Sequence, residues 1–286
     1  MWRFRSLACA AFIAAAGFAR AADIPSAVRD WRPPAGARPA VPALTWSGWY
    51  YGSSIGGAWS AARWNTTCLQ PGVAGANCPL GLAGANRFTT QNPADFNTLA
   101  LRGGIFGGIN VQLSRDWVGS LEADFAVNAK SGSRPGIPGA EDPAAAGSPG
   151  GDAASVRHVW ETGFRARAGY LVAPSLMAFA TAGVAMSHVE IAATCGGGAF
   201  PAGWCANPAN TGRTDAASTN RTGWTLGGGL EWMTSGGWML RAEYRYSDFG
   251  TWDTALLSLP TSNIDAILTR LRLRRSTVLF GLAYKF

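Results

Sequence analysis

Residues 276–286, with the sequence STVLFGLAYKF, decide the fold class, because side-chain character alternates strictly along them. One parity is large and apolar throughout. It comprises Val278, Phe280, Leu282, Tyr284 and Phe286. The other parity is mostly small or polar. Alternation of this kind predicts a β-strand with two different environments on its two faces. By itself it does not say whether the apolar face meets a protein core or lipid.

The same alternation recurs in seven earlier segments, which predicts eight strands in all. These segments are 46–60, 98–113, 117–128, 158–171, 176–189, 222–233 and 238–247. The segment 176–189 is weakly patterned, and its faces cannot be assigned. Short connections alternate with long ones, which run near 60–96, 129–155, 192–220 and 250–267. Antiparallel neighbours would then collect all long loops at one end, which is the rule for outer-membrane barrels.

The distribution of charge favours a barrel whose apolar face points outward to lipid. Trp and Tyr lie near the ends of the apolar faces, as in the aromatic girdles of membrane barrels. The opposite faces carry charges of both signs, which would be costly in lipid and can pair in the interior. The predicted interior charges are Arg102, Glu122, Asp124, Glu161, Arg165, Arg167, Glu231, Arg241, Glu243, Arg245 and Lys285. The alternative is a soluble barrel or sandwich whose charges are simply its solvated face.

Composition agrees with an exported β protein. Hydrophobic residues make up 48% of the 286 and charged residues only 14%, against about 25% charged in ordinary soluble domains. The N-terminus combines a basic start, an apolar core and a small-x-small site at Ala19–Ala21, which predicts a signal peptide over 1–21. A Pro-rich periplasmic linker is predicted over 22–44 and the barrel over 45–286. The net charge of +7 includes three signal-peptide arginines, and the modest remainder disfavours nucleic-acid binding.

Four cysteines follow the predicted signal peptide, and their spacing suggests two local disulfides. Cys68 and Cys78 enclose nine residues, as do Cys195 and Cys205. Export permits both bonds to form. A zinc site is the alternative, but the spacing matches no common ligand pattern, and we expect no metal or other cofactor.

Several motifs resemble a known family. TWSGWYYGSSIGGAW (45–59), GGIFGGINVQ (103–112), GFRARAGYL (163–171), GWTLGGGLEWMTSGGWMLRAEYRYSDFG (223–250) and TVLFGLAYKF (277–286) resemble, in order, strands of the small outer-membrane immunogenic or porin-family proteins of alphaproteobacteria. The resemblance implies an OmpA-like barrel in a Gram-negative outer membrane. It also implies insertion by the barrel-assembly machinery, for which Phe286 would be the terminal signal.

Three functions remain open at this point. An eight-stranded barrel is only just wide enough for side chains, so we expect a largely plugged, structural barrel that presents four loops to an unidentified ligand. The second is a narrow channel for ions or small solutes. The third, an enzyme, would need a histidine base, and we interpret His158 and His188 as interface or loop residues. The run Arg270, Arg272, Arg274 and Arg275 is either a solvated strand extension or a contact with lipopolysaccharide phosphates.

Overall fold

The computed structural model describes residues 44–70, 92–129, 131–140, 151–196, 205, 211–258 and 266–286, without the side chains of 68–70 and 266. These residues form nine strands. They are β1 (Gly48–Gln70), β2 (Ala94–Gln112), β3 (Trp117–Asn128), β4 (Gly132–Pro135), β5 (Ala153–Ala173), β6 (Leu176–Thr194), β7 (Thr214–Met233), β8 (Trp238–Leu256) and β9 (Ala266–Lys285). The predicted signal peptide lies outside the described residues, as does the predicted linker apart from Leu44.

Eight of the strands close into an antiparallel ring, which confirms the predicted barrel. Neighbours follow the order β3-β2-β1-β9-β8-β7-β6-β5, and β3 pairs with β5 to complete the circle. The short β4 pairs with β5 just beyond the end of β3, on the same edge of β5 and in nearly the same register. The seam runs between the first and last strands, for example at Tyr51↔Tyr284. Phe286 lies at the end of this seam, where its amide donates to the Trp49 carbonyl at 3.0 Å.

The strands extend farther than the sequence predicted at the end that carries the long connections. We call this the outer end, and the end with the short turns at 113–116, 174–175 and 234–237 the inner end. Segments 60–70, 214–220, 250–256 and 266–275, predicted as loop or left unassigned, are strand. The predicted long connections were therefore too long, and one of them contains β4.

The apolar residues change from the outer to the inner face of the barrel wall along each strand, which explains why the strands were predicted too short. In the inner part, apolar residues point outward: Ile105 is 66% exposed and Phe280 is 61% exposed. Near the outer end they point inward, and Leu271 and Leu273 of β9 are fully buried. The change follows a ring of outward aromatic residues that we call the outer belt. It comprises Trp59, Trp160, Trp224 and Tyr246, with Trp59 and Tyr246 level with Ser276.

Below the outer belt the wall matches a lipid-facing surface, and above it the wall matches an ordinary water-soluble protein. Trp49, Trp117, Tyr170, Trp238 and Tyr284 form a second ring of outward aromatics, the inner belt, at the inner end. Paired aromatic girdles of this kind flank the apolar band of outer-membrane barrels. Among the described residues, no helix has the length and apolarity needed to span a membrane.

Candidate functional site

Glu122 of β3 lies at the centre of a buried network of ion pairs inside the barrel. Its carboxylate lies 2.6 Å from a guanidinium nitrogen of Arg241, 2.9 Å from Arg165 and 3.3 Å from Arg167. The hydroxyl of Tyr50 on β1 donates a further hydrogen bond to it at 2.9 Å. One carboxylate therefore holds together arginines from two other strands of the ring.

Asp124 repeats this arrangement one step toward the outer end. It accepts from Arg102 at 2.7 Å and from Arg245 at 3.2 Å, and it also contacts Arg165. We call the connected set the ion-pair lattice. Among the described residues it comprises Arg102, Glu122, Asp124, Glu161, Arg165, Arg167, Glu231, Arg241, Glu243, Arg245 and Arg275. Six arginines thus face five carboxylates, all of them buried.

Strand register produces the lattice, because partners of opposite charge lie directly across from each other. Glu122 pairs with Arg165 in the β3–β5 ladder and Glu231 with Arg241 in the β7–β8 ladder. Inward glycines supply the space. Gly281 lies across from Arg241, and Gly163 across from Asp124. A Cβ added to Gly163 would come within 2.6 Å of Arg165 Nη1, so the charged side chains occupy volume that only glycine leaves open.

Three inward aromatic rings pack against the lattice, and none of them was among the predicted site residues. The guanidinium of Arg167 lies 4.0 Å from the Phe179 ring centroid, and that of Arg241 lies 4.3 Å from the Phe106 centroid. These are cation–π distances. Tyr50 is the third ring, 6.3 Å from Phe106. Their inward parity was visible in the sequence for Tyr50 and Phe106, whereas the faces of β6, which carries Phe179, were unassigned.

The structure places ten of the eleven predicted interior charges in the lattice and leaves out Lys285. Lys285 lies half-buried at the inner end, where its Nζ donates to the Ser47 carbonyl at 3.0 Å. It has inward parity, but it is the last residue of β9 and the strand ends before its side chain can reach another charge.

The structure corrects the prediction that Arg275 contacts lipopolysaccharide. Its side chain is buried inside the barrel, 3.1 Å from Glu161, and it also bonds to Asn128. Arg270, Arg272 and Arg274 do point outward, with side chains 57%, 51% and 45% exposed. Parity gives the reason: Arg275 follows Arg274 directly, so it must face the other way.

An apolar layer covers the lattice at each end. The outer layer lies inside the barrel above the outer belt. It comprises Trp64, Phe96, Ile137, Val156, Val189, Ile191, Phe249, Leu256, Leu257, Ile267, Leu271 and Leu273, with smaller residues between them. The inner layer surrounds Trp46, which is fully buried and donates its indole N–H to the Pro174 carbonyl at 3.1 Å. Trp46 was predicted to lie in the first strand, but β1 begins at Gly48, and Trp46 instead packs across the inner mouth.

The two histidines occupy different environments. His188 lies on the outer surface, stacked on Trp160 with centroids 5.6 Å apart, as expected of an interface residue. The expectation for His158 was wrong: it is buried inside the barrel, just above the outer belt. Its Nδ1 lies 3.1 Å from Ser187 Oγ. Burial and the nearby positive charge of Arg275 lower the pKa of His158 to about 3. The hydroxyl of Ser187 is completely buried and bonds to the Trp160 carbonyl, so a substrate has no access to this pair.

One of the two suggested disulfides is present. Cys195, just after β6, is bonded to Cys205, and both side chains belong to the outer apolar layer. The backbone of Cys68 lies in β1, but its side chain and the whole of Cys78 lie outside the described residues. The bond between Cys68 and Cys78 therefore stays a prediction.

Comparison with known proteins gives a family match over nearly the whole chain. The sequence model of the outer membrane protein beta-barrel domain matches residues 7–286. The 31 kDa outer-membrane immunogenic protein of Brucella melitensis is 30% identical over 185 residues, which are 64% of this chain and 65% of that protein. The match thus spans just under two thirds of the length of that relative.

Two further similarities are more distant. The 25 kDa outer-membrane immunogenic protein of Brucella abortus is 25% identical over 248 residues, 86% of this chain and 82% of the relative. Among solved structures, the attachment invasion locus protein Ail of Yersinia pestis is 12% identical with a TM-score of 0.36, covering 84% of this chain and 99% of Ail. The fold assignment rests on the closed strand ring and the family match.

Proposed function

This chain belongs to the outer membrane protein beta-barrel domain family, and from that premise we propose that it is a closed barrel that anchors surface-exposed loops in the outer membrane of a Gram-negative bacterium. The observation that carries the proposal is the stacking of three side-chain layers inside the ring. From the inner mouth outward these are the layer around Trp46, the ion-pair lattice and the outer apolar layer.

Each layer opposes the passage of solutes for a different physical reason. A hydrated ion that entered an apolar layer would lose its water without gaining partners, at a cost of several kcal/mol or more. In the lattice it would have to displace side chains that already hold one another at 2.6–3.3 Å. The names of the relatives, outer-membrane immunogenic proteins, support a role in which part of the chain is presented outside the cell.

Conductance in planar bilayers tests this proposal. We expect the reconstituted full chain to give no steady conductance of porin size. A porin reconstituted under the same conditions is the positive control. Steady, porin-like conductance of the wild-type chain would overturn the proposal.

A narrow channel is the second candidate, and a specific observation favours it. Several lattice atoms lack a hydrogen-bond partner among the described residues, including Arg165 Nε, Arg241 Nη2 and Glu231 Oε1. Two small cavities adjoin the lattice, each with about 10 Å³ of room for the centre of a water molecule. Water can occupy polar sites of this size. If water linked such sites into a path, Arg165→Ala or Arg241→Ala would change the unit conductance; no change would count against this candidate.

We propose no enzymatic activity for this chain. The pair formed by His158 and Ser187 is the arrangement that most resembles a nucleophile with its base, and burial closes it to substrate. Assays for lipase and peptidase activity on the folded protein test this directly. Activity that was lost in Ser187→Ala but retained in Thr181→Ala, which removes another buried hydroxyl of the same strand, would reverse the conclusion.

Signal-peptide cleavage and membrane insertion belong to the same proposal. Cleavage after Ala21 would yield a mature chain that begins at Ala22, which intact-mass measurement of the membrane-extracted protein checks. We also propose that Phe286 contributes to recognition by the barrel-assembly machinery, because it is exposed at the seam. Deleting Phe286 should lower the amount inserted in cells while leaving refolding into detergent unchanged.

A further inference from the structure

A group of like charges lies on the outer wall at the seam between β1 and β9. Arg63 of β1 lies directly across from Arg272 of β9, and both side chains point outward. Arg274 follows two residues along the same face. Like charges opposite each other on a sheet destabilise it, so this arrangement calls for a counter-charge.

The protein itself neutralises this group only in part. Arg270 is satisfied, because Asp253 accepts from it at 2.7 and 3.2 Å. Arg272 and Arg274 instead share one carboxylate, Asp248, at 3.6 and 3.4 Å. Neither of these two distances is short enough for a strong, charge-assisted hydrogen bond.

Arg63 is the least satisfied of the set. Asp95 lies across from it on β2, but no carboxylate of the described residues comes within ion-pair distance. Arg63, Arg272 and Arg274 thus present many N–H donors in one place with one shared acceptor. Guanidinium groups bind phosphate by paired, charge-assisted hydrogen bonds.

The height of the three arginines relative to lipid narrows the choice of ligand. Ser276 is level with the outer belt, and Arg274 and Arg272 lie two and four residues beyond it. At about 3.3 Å per residue and a tilt of about 40°, these are heights of roughly 5 and 10 Å. The polar headgroup layer of a bilayer is about 5–8 Å thick on each side. Arg274 therefore lies within this layer, and Arg272, with Arg63 across from it, lies just beyond it, where a long side chain still reaches the lipid phosphates.

A groove on the same face lies at and just above the outer belt, because Trp59, Leu99 and Tyr246 are level with Ser276 and Arg274 lies two residues beyond it. It is lined by residues of four strands, with Trp59, Leu99 and Tyr246 at its lower edge and Arg274 at its upper edge. The small side chains of Ala61 and Ser276 form its floor. A sugar ring of a lipid headgroup can lie in such a groove while its phosphate meets the arginines above.

We propose that Arg63, Arg272 and Arg274 form a binding site for the phosphorylated disaccharide lipid of the outer leaflet, with part of the disaccharide in the groove beside Arg274. The inference rests on the location in the outer membrane and does not depend on whether the barrel conducts. It revises the arginine run predicted from sequence by removing Arg275, setting Arg270 aside as internally paired, and adding Arg63 from a strand some 200 residues distant in the chain.

Binding of purified lipid A to the folded full-length protein in detergent tests the site. Replacing all three arginines with glutamine should weaken binding by about tenfold or more, the loss that corresponds to one or more charge-assisted hydrogen bonds. Arg157→Gln is the matched control. Arg157 is similarly exposed, loosely paired with Glu190 at 3.7 Å, and lies on the opposite side of the ring. We expect its removal to leave binding unchanged.

Two further arms identify the ligand. Lipid A stripped of its phosphates should bind wild type and triple variant equally, and millimolar inorganic phosphate should not displace intact lipid A. Equal binding of intact lipid A to wild type and triple variant would overturn the site, as would an equal loss in Arg157→Gln. Displacement by free phosphate would overturn the assignment to lipid. The heat-dependent gel shift of folded barrels confirms that each variant is folded, and Arg63→Gln alone serves if the triple variant is not.

Discussion

The sharpest test of the interior is the replacement of Glu122 by glutamine. Glutamine has nearly the same shape, so packing is retained while one buried negative charge is removed. Three guanidinium groups within 2.6–3.3 Å lose their shared counter-ion, and Tyr50 keeps at most a neutral acceptor. The lattice is then left with six arginines and four carboxylates.

The expected cost follows from the burial of this group. Removing one partner of a buried pair costs about 3–5 kcal/mol, because the remaining charge stays desolvated. Urea unfolding of the protein in lipid vesicles, followed by tryptophan fluorescence, measures that loss. The matched control is Glu190→Gln, whose partner Arg157 lies 3.7 Å away on the surface; exposed pairs of this kind contribute less than about 1 kcal/mol.

A double-mutant cycle makes the test specific to the lattice. Arg241→Gln should cost much less in the Glu122→Gln background than in wild type, since its main counter-charges are then Glu231 and Glu243. Residues in one buried network typically couple by about 0.5–3 kcal/mol. A cost below about 1 kcal/mol for Glu122→Gln, or strictly additive effects in the cycle, would refute the reasoning.

Three other predictions concern single positions. Gly163→Ala should destabilise the barrel by about 1–3 kcal/mol, because its Cβ would crowd Arg165 and Asp124, whereas Gly103→Ala, with nothing within 4 Å, should not; urea titrations compare them. Trp46→Ala should lower the free energy of unfolding by about 3–5 kcal/mol, because it leaves a cavity in the inner layer. A loss below about 1 kcal/mol would show that this layer contributes little to stability. The stability of wild type should fall by up to about 1.4 kcal/mol per unit as pH drops from about 6.5 toward 3, since the pKa of His158 is lowered to about 3 on folding. His158→Gln should remove that component, and superimposable pH curves would contradict it.

The part of the fold within the membrane was predictable, because lipid imposes one simple rule on every strand. Phe280 and Leu282 point outward and Arg241 points inward, as alternation requires. Above the outer belt water replaces lipid, and the rule reverses: Leu271 and Leu273 belong to the interior. A single rule applied along the whole chain therefore predicts that the strands end where the pattern changes sign.

Other features depended on tertiary contacts that no local pattern encodes. Trp46 stands among outward aromatics such as Trp49, and only the fold shows that it crosses the mouth to reach Pro174. Arg63 lies across from Arg272 because β1 and β9 pair at the barrel seam, although the two strands lie at opposite ends of the chain. Arg275, in contrast, could have been placed inside by parity alone.

The reversal of polarity also has a consequence for how the molecule meets its surroundings. From Ser276 to Ala266, β9 continues for ten residues beyond the outer belt, a height of roughly 25 Å at the usual rise and tilt. This section has its own apolar interior, as a water-soluble protein has. The loops therefore begin well away from the lipid, and the polar wall of this section separates them from the membrane surface. The loops at the outer end of this section can therefore vary in sequence without any change in the part that spans the membrane.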